Sequence, residues 1–324
     1  MSDSVPRRDT RGIVDPAELL SRVRFRRHAP AAELRPYLEH YWLIDWELPE
    51  PYASHVVPHP SVNVVFQRYG PLGAPASAAH ASAEVSGIGL GLATHKLTET
   101  GRVCGIQFRP GGFRPFAPGW PVSTWTGRRV PLPEVFPDTG GGGSAATSGG
   151  GAAATSGGDS AATSEGSAAA TSGGGSTDTS ADLMSAVLSP ATDHARVAAL
   201  DAFLLAHGPA PDPAADRAME LVDLVRGDRS VRRVSQLAAA SGLSARSLQR
   251  LFAAEVGVGP KWVILRYRIH EALERAEAAG AAGAPDWAAL AVELGYSDQA
   301  HLVRDFTATI GVPPTAYARG LSLP

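Results

Sequence analysis

The chain has 324 residues, 44% of them hydrophobic, and a formal net charge of −3, and its length predicts two domains rather than one. A single cysteine, Cys104, excludes a disulfide framework and a multi-cysteine zinc site. No apolar run reaches the ~20 residues of a membrane span, and residues 1–12 lack the apolar core of a signal peptide. These features predict a cytoplasmic protein with no membrane partner. The near-neutral net charge argues against nucleic-acid binding unless basic residues are concentrated locally.

Residues 1–138 have the pattern of a mainly-β domain with flanking helices. Val62, Val64 and Phe66 alternate with Asn63 and Val65, and a strand candidate at 103–108 stops at a Pro-Gly-Gly turn, as is typical of strands. Residues 31–42 carry a cluster of aromatic residues and indicate a short helix or the start of a strand. Four of the six tryptophans lie in this region, so it can fill a core of its own.

Residues 139–180 contain only Gly, Ala, Ser and Thr apart from three acidic residues, and Ala-Ala-Thr-Ser recurs there with a period of eight. Such a sequence has no apolar face to bury and no Gly-rich phosphate-binding motif, so we expect a disordered linker spanning roughly 35 Å. Apolar residues recur at near-helical spacing over 181–207. We expect helices there that either pack on the first domain or form a dimer surface. Residues 208–324 predict an all-α domain.

The all-α region contains one pattern twice. Leu-Ala, three residues and Gly-Leu-Ser at 237–244 return as Leu-Ala, three residues and Gly-Tyr-Ser at 290–297. An apolar helix, a glycine turn and a serine that can cap the next helix are typical of a helix-turn-helix unit. Between the two units, 260–279 predicts one helix roughly 30 Å long, which can set two recognition helices about one DNA turn apart.

The outward residues of each second helix suit base edges and phosphates. Between residues 226 and 270, nine Lys and Arg residues stand against two acids, a local net charge of +7 that removes the objection from overall charge. The predicted DNA-contacting residues are Ser244, Ala245, Arg246, Gln249, Arg250, Lys261, Arg266, Ser297, Gln299, Ala300, His301 and Arg304.

The stretch GYSDQAHLVRDF at 295–306, followed by GVPPTAY at 311–317, resembles the AraC/XylS family of bacterial transcription regulators. The resemblance covers about residues 228–319. It implies that the recognition helix of the first unit makes most base contacts, with Arg246, Gln249 and Arg250 at base edges.

The resemblance also implies base contacts from the second unit, through Gln299, Ala300, His301 and Arg304. Ala300 stands where the family commonly has Ser, and Asp298 and Asp305 are poor neighbours for phosphates. The second unit is therefore expected to contact DNA more loosely than the first.

The stretch GIQFRPGGFRPF at 105–116 resembles an N-terminal domain of many uncharacterised members of that family, which implies a sensor-type domain but names no ligand. Arg109 and Arg114 flank its Gly-Gly turn, and they either hold an anionic effector or tie the turn to nearby carboxylates. His55 and His59 complete the candidate effector site.

A metal-dependent, cupin-like enzyme or sensor is the alternative for the N-terminal domain. It would use His55 and His59 with His80, His95 or Cys104. No H-x-H or H-x-x-H pair with a later His/Glu set supports it, so we expect no metal, no other cofactor and no catalytic residue, and Cys104 is expected in the core. The single cysteine also excludes the DNA-alkylation repair proteins that join an AraC-type module to a four-cysteine zinc centre.

The sequence therefore predicts a multidomain α+β protein with a mainly-β domain at 1–138 and two helix-turn-helix units, joined by a long helix, within 208–324. We predict a non-enzymatic, sequence-specific transcription regulator that places two recognition helices in successive major-groove segments and is modulated by its N-terminal domain. Its expected partner is double-stranded promoter DNA. A small-molecule effector, RNA polymerase and a second copy of the chain stay open as further partners. Shortening the linker at 139–180 is expected to leave DNA binding intact.

Overall fold

The computed structural model describes residues 12–70, 80–137, 179–279 and 285–320. The linker predicted at 139–180 lies outside the described residues except for 179 and 180, with which a helix begins. No helix among the described residues is both long enough and apolar enough to cross a membrane.

The N-terminal domain is mainly β, as predicted. Six of its strands form one antiparallel sheet in the order β1-β2-β7-β4-β5-β8, while β3 and β6 pair separately. The elements are α1 (Pro16–Arg22), β1 (Val23–His28), β2 (Leu38–Glu47), β3 (Tyr52–Val56), β4 (Asn63–Tyr69), β5 (His80–Ser86), β6 (Ala93–Leu97), β7 (Thr100–Phe108), β8 (Arg129–Pro131) and α2 (Leu132–Val135).

The predicted strand at 103–108 is the C-terminal part of β7, which pairs with both β2 and β4 and is buried along most of its length. The indole of Trp42 on β2 lies so close to β7 that position 105 must be glycine, because a Cβ there would overlap the indole. Cys104 is fully buried between strands, as expected of a core residue. The region 31–42 contains a single 3₁₀ turn, Ala32–Leu34, followed by the start of β2.

Two helices that follow the linker region lie against the sheet: α3 (Thr179–Leu188) and α4 (Asp193–His207). On β7, Arg102 donates to the carbonyl of Leu188 at 2.8 Å. On α4, the ring of Phe203 lies 6.1 Å from that of Phe66 on β4 and 5.3 Å from that of Phe136, which follows α2. Of the two placements expected for 181–207, these helices adopt packing on the N-terminal domain.

A buried ionic cluster fastens α4 to strands β1, β2 and β7. Arg196 on α4 is 2% exposed and pairs with Asp45 on β2 at 3.2 Å, while Arg102 pairs with the same carboxylate at 2.5 Å. Arg26 on β1 hydrogen-bonds Asp193 at 2.7 and 2.8 Å, which lowers the pKa of that carboxyl to about 2. Because a buried charge is costly without a partner, these mutual pairs hold the helices in one place on the sheet.

The C-terminal part is all-α and holds two helix-turn-helix units joined by one long helix, as predicted. Its helices are α5 (Pro213–Gly227), α6 (Val234–Ser241), α7 (Ala245–Leu251), α8 (Pro260–Ala279), α9 (Trp287–Glu293), α10 (Gln299–Ile310) and α11 (Pro314–Gly320). Unit 1 is α6–α7 and unit 2 is α9–α10. A π-helical turn, Phe252–Val256, continues α7 toward α8.

The turn of each unit follows from its sequence. Gly242 and Gly295 adopt left-handed backbone angles, φ +70° and +75°, which residues with a Cβ resist. Ser244 caps α7 by accepting from the amide of Ser247 at 3.1 Å, as predicted. The prediction that Ser297 caps α10 is wrong. The cap is Asp298, which accepts from the amide of His301 at 2.7 Å because a carboxylate stands one residue nearer the helix.

The apolar core is divided unevenly between the units. One cluster runs from the sheet through α3, α4 and α5 into unit 1 and includes Leu237, Leu248 and Phe252. A second cluster belongs mostly to unit 2, around Leu302 and Phe306, and includes residues of α8 and α11. Unit 1 therefore shares its core with the N-terminal domain, whereas unit 2 largely has its own.

Candidate nucleic-acid interface

Helix α7 presents a polar face because its apolar residues are buried beneath it. Leu248 is fully buried, whereas Ser244, Ala245, Arg246, Gln249 and Arg250 are all exposed. The structure thus brings the five residues predicted for unit 1 onto one exposed surface at the start and outer side of α7. Two guanidinium groups and one amide on that face can donate to guanine and pair with adenine.

Helix α10 presents a second polar face, with a different chemistry. Gln299, Ala300 and Arg304 are exposed, as is Ser297 before the helix. His301 is half-buried and is engaged within the unit: its Nδ1 lies 3.2 Å from the Ser297 hydroxyl and its Nε2 lies 3.7 Å from Asp305. The structure therefore leaves His301 less free than the sequence predicted.

The two predicted contacts on α8 are separated by the structure. Lys261 is exposed at the start of the helix. Arg266 is only 5% exposed, donates to the carbonyl of Leu90 at 3.0 Å and stacks 4.4 Å over the ring of Trp262. Burial lowers the pKa of Arg266 to about 10. Arg266 thus contacts the N-terminal domain instead of presenting its guanidinium to solvent, and this burial argues against the predicted DNA contact.

Two of the four candidate effector residues instead tie the N-terminal domain to the C-terminal helices. Arg109 hydrogen-bonds and pairs with Asp223 on α5, and it donates to the carbonyl of Pro36 at 2.8 Å. Arg114 lies 3.7 Å from Glu255, whose pKa is raised by burial. This is the alternative expected for both arginines, a tie between the Gly-Gly turn and nearby carboxylates.

The back of unit 1 rests on a loop of the N-terminal domain. The Thr126 hydroxyl donates to the carbonyl of Gly257 at 2.6 Å, just after the π-helical turn. Gly257 has φ +96°, and a Cβ there would stand 2.8 Å from Ile88 and 2.9 Å from Val122. No local sequence pattern indicates this docking surface.

His55 and His59, the histidines common to every form of the metal alternative, contact different partners. His55 faces Thr94 across strands β3 and β6, with Nδ1 3.0 Å from the Thr94 hydroxyl, whereas His59 stacks on His270 of α8 with ring centroids 4.1 Å apart. The side chain of His80 lies outside the described residues. Over the part of the chain that the structure describes, no group of three His, Cys, Asp or Glu residues could hold a metal ion.

A cleft of about 200 Å³ lies between the sheet and helices α5 and α8. Its lining includes charged groups of both signs, among them Arg226, which pairs with Glu39 of β2 at 2.8 Å. This cleft could not be predicted from the sequence, because its walls come from segments more than a hundred residues apart.

Comparisons with known proteins match two separate parts of the chain. Residues 26–131 match the family described as a domain of unknown function, DUF6597, and residues 237–320 match the family described as a helix-turn-helix domain. No curated protein matches the chain. The predicted AraC-type helix-turn-helix domain at the C-terminal end is thereby confirmed.

Solved structures of one protein, ToxT, are similar to the chain. ToxT from Vibrio cholerae O395 has 10% identity and a TM-score of 0.38, with 87% of this chain and 97% of that chain covered. Unsaturated fatty acid-bound wild-type ToxT from Vibrio cholerae strain SCE256 has 9% identity and a TM-score of 0.39, with 90% and 96% covered. Both scores lie below 0.5, so the likeness is partial and says nothing of ligands for this chain.

Proposed function

We propose that this chain, whose C-terminal part is an AraC-type helix-turn-helix domain, is a sequence-specific transcription regulator that reads two successive major-groove segments. Helix α7 would enter one segment and α10 the next, with α8 between them. A 20-residue helix is roughly 30 Å long, close to the ~34 Å of one DNA turn. Base recognition falls mainly to unit 1, and unit 2 adds looser contacts.

One observation carries the proposal. The helix-turn-helix pattern occurs twice, and both second helices keep their polar residues exposed while the matching apolar residues, Leu248 and Leu302, are fully buried. A helix surface that only exposed its charged residues to water would not require the same helix-turn-helix pattern twice. The concentration of arginine around unit 1 supplies the attraction to phosphate that the net charge of −3 hides.

Modulation by the N-terminal domain is part of the proposal. Unit 1 shares its core with the sheet, and Arg114 and the Thr126 hydroxyl hold the residues just after α7, while Arg109 holds α5. A change in the N-terminal domain would therefore move α7 directly. Both arginines predicted to hold an effector are occupied by carboxylates of the C-terminal helices.

The test is selection of DNA from a random-sequence library with the full chain, followed by footprinting of the selected duplex. The full chain is needed because unit 1 buries part of its core against the N-terminal domain. We expect salt-sensitive protection of about two successive turns. Absence of any sequence preference, or binding that salt does not weaken, would refute the proposal. Elemental analysis of the same sample tests the alternative, since stoichiometric metal lost on His55→Ala would favour a metal-dependent domain.

A further inference from the structure

The glycine turns of the two units occupy matching positions but have different surroundings. Around Gly242 of unit 1, no atom lies within 4 Å of the place where a Cβ would stand. At Gly295 of unit 2, a Cβ would overlap the Cδ of Arg232, and the Cγ and Nε of the same side chain lie at 3.0 Å. The stem of Arg232 therefore lies directly across the turn of unit 2.

Arg232 belongs to the segment that leads into unit 1, between α5 and α6. Its Nη2 donates at 2.8 Å to the carbonyl of Glu293, the last residue of α9, and its Nε donates at 3.2 Å to the carbonyl of Arg229. The last carbonyls of a helix lack intrahelical partners, and a cation is favoured at that end. Arg232 thus caps a helix of unit 2 from the segment that begins unit 1.

Helix α8 holds this arginine in place. Arg268 on α8 donates to the carbonyl of Arg232, and its guanidinium lies 5.3 Å from the ring centroid of Tyr296, next to the unit 2 turn. Arg229, whose carbonyl accepts from the Nε of Arg232, pairs with Glu271 of α8 at 2.7 Å and is therefore anchored to the same helix. The arginine is therefore fixed between both units and the helix that joins them.

We propose that Arg232 is a positioning residue that fixes the second recognition helix relative to the first and so sets the spacing between the two DNA segments that the chain reads. The inference rests on the proposed function for its DNA consequence only. The contact between Arg232 and unit 2 forms without DNA. Arg232 fits this role because its planar guanidinium donates to two carbonyls in fixed directions, whereas the three donors of a lysine ammonium rotate.

The first experiment needs no DNA. Spin labels placed through Arg246→Cys and Arg304→Cys report the distance between α7 and α10, and Cys104 is buried and stays unlabelled. We expect one narrow distance distribution, broadened by Arg232→Ala and also by Gly295→Ala, whose added methyl displaces the arginine stem. Arg233→Ala is the matched control, since it removes the same charge from the neighbouring residue, which is exposed as Arg232 is, and should leave the distribution narrow. An unchanged distribution in both Arg232→Ala and Gly295→Ala overturns the inference.

The second experiment uses the duplex selected by the unlabelled full chain and a duplex with ~5 base pairs inserted between the two protected turns, which places the second segment on the opposite face. The insertion should weaken binding by the native chain and by Arg233→Ala about 10-fold or more, but Arg232→Ala only about 3-fold or less. An equal insertion penalty in Arg232→Ala and the native chain overturns the inference. Failure of the native chain to select any DNA refutes the proposed function instead, and the distance measurement still decides the role of Arg232.

Discussion

The two helix-turn-helix units share one sequence pattern and differ in what surrounds them. In unit 1 the residues after α7 are buried against the N-terminal domain, with Glu255 and Gly257 in the contact. In unit 2 the apolar residues pack mostly with α8 and α11. The same local motif therefore serves once as part of a larger body and once as a nearly separate module. The repeated sequence specifies the local turn of each unit, whereas residues outside the motif determine what each unit packs against.

The largest expected difference between the units concerns stability. Phe252 and Phe306 hold matching positions and are both fully buried, so replacing either by Ala should cost about 3–5 kcal/mol. Phe252→Ala should destabilise the N-terminal domain together with unit 1, whereas Phe306→Ala should open unit 2 alone. Hydrogen exchange under mild urea can map the regions affected. The comparison fails if Phe306→Ala lowers protection in β7 as much as Phe252→Ala does.

A second difference concerns base recognition. Arg250 is exposed on α7, and Arg250→Ala should cut discrimination at one base position by about 1–3 kcal/mol. Arg304→Ala on α10 should lose less base discrimination, since His301 and Asp305 beside it already pair with each other. Binding to single-base variants of the selected duplex gives both values. Uniform weakening across all variants would make the arginine a phosphate contact instead.

The attachment of the C-terminal helices to the N-terminal domain should show a smaller effect. The pair of Arg109 with Asp223 is partly exposed, 25% and 40%, so Arg109→Ala should weaken the contact by about 1 kcal/mol or less. Faster hydrogen exchange in α5 would report it. The matched control on the same helix is Arg217→Ala, whose contacts with Glu220 of α5 and with the carbonyl of Ser241 on α6 stay within the C-terminal helices. Equal hydrogen exchange of α5 in the two variants would show that Arg109 does not attach this helix to the N-terminal domain.

The smallest effect should be a pH dependence confined to unit 1. Burial raises the pKa of Glu255 above its usual 4.5, and nearby Asp212 adds to this while Arg114 opposes it. A carboxyl whose folded pKa is raised gives stability that is fully present below its unfolded pKa and is lost as pH rises through the folded value. Glu255→Gln should therefore flatten the fall in stability that begins near pH 4.5 in the native chain. Unit 2 has the neutral Thr309 at the matching position, so Thr309→Ala should leave that slope unchanged.

Much of the fold could be predicted because its signals are local. The turn glycines, the Ser244 cap and the apolar residues of both units act over a few positions, and each appears in the structure as expected. The Ser297 cap failed because serine and aspartate stand side by side and only the backbone geometry chooses between them.

The attachment of the units could not be predicted from sequence, because it depends on pairs far apart in the chain. Arg266 and Arg250 look alike in sequence, yet one is buried against Leu90 and the other is exposed. Arg109 and Arg114 suit an anion site as well as they suit the carboxylates that they meet. Only the placement of Asp223 and Glu255 beside them decides between the two.

The packing of α3 and α4 on the sheet has a genetic consequence. Phe136, before the region 139–180, and Phe203, after it, are in contact within one core. Both flanks of the Ala-Ala-Thr-Ser repeat are therefore anchored to the N-terminal domain, and the repeat does not set the distance from that domain to unit 1. The repeat recurs every eight residues, so the gain or loss of one eight-residue copy would leave both anchored flanks unchanged. Alleles that differ in copy number should bind the same DNA.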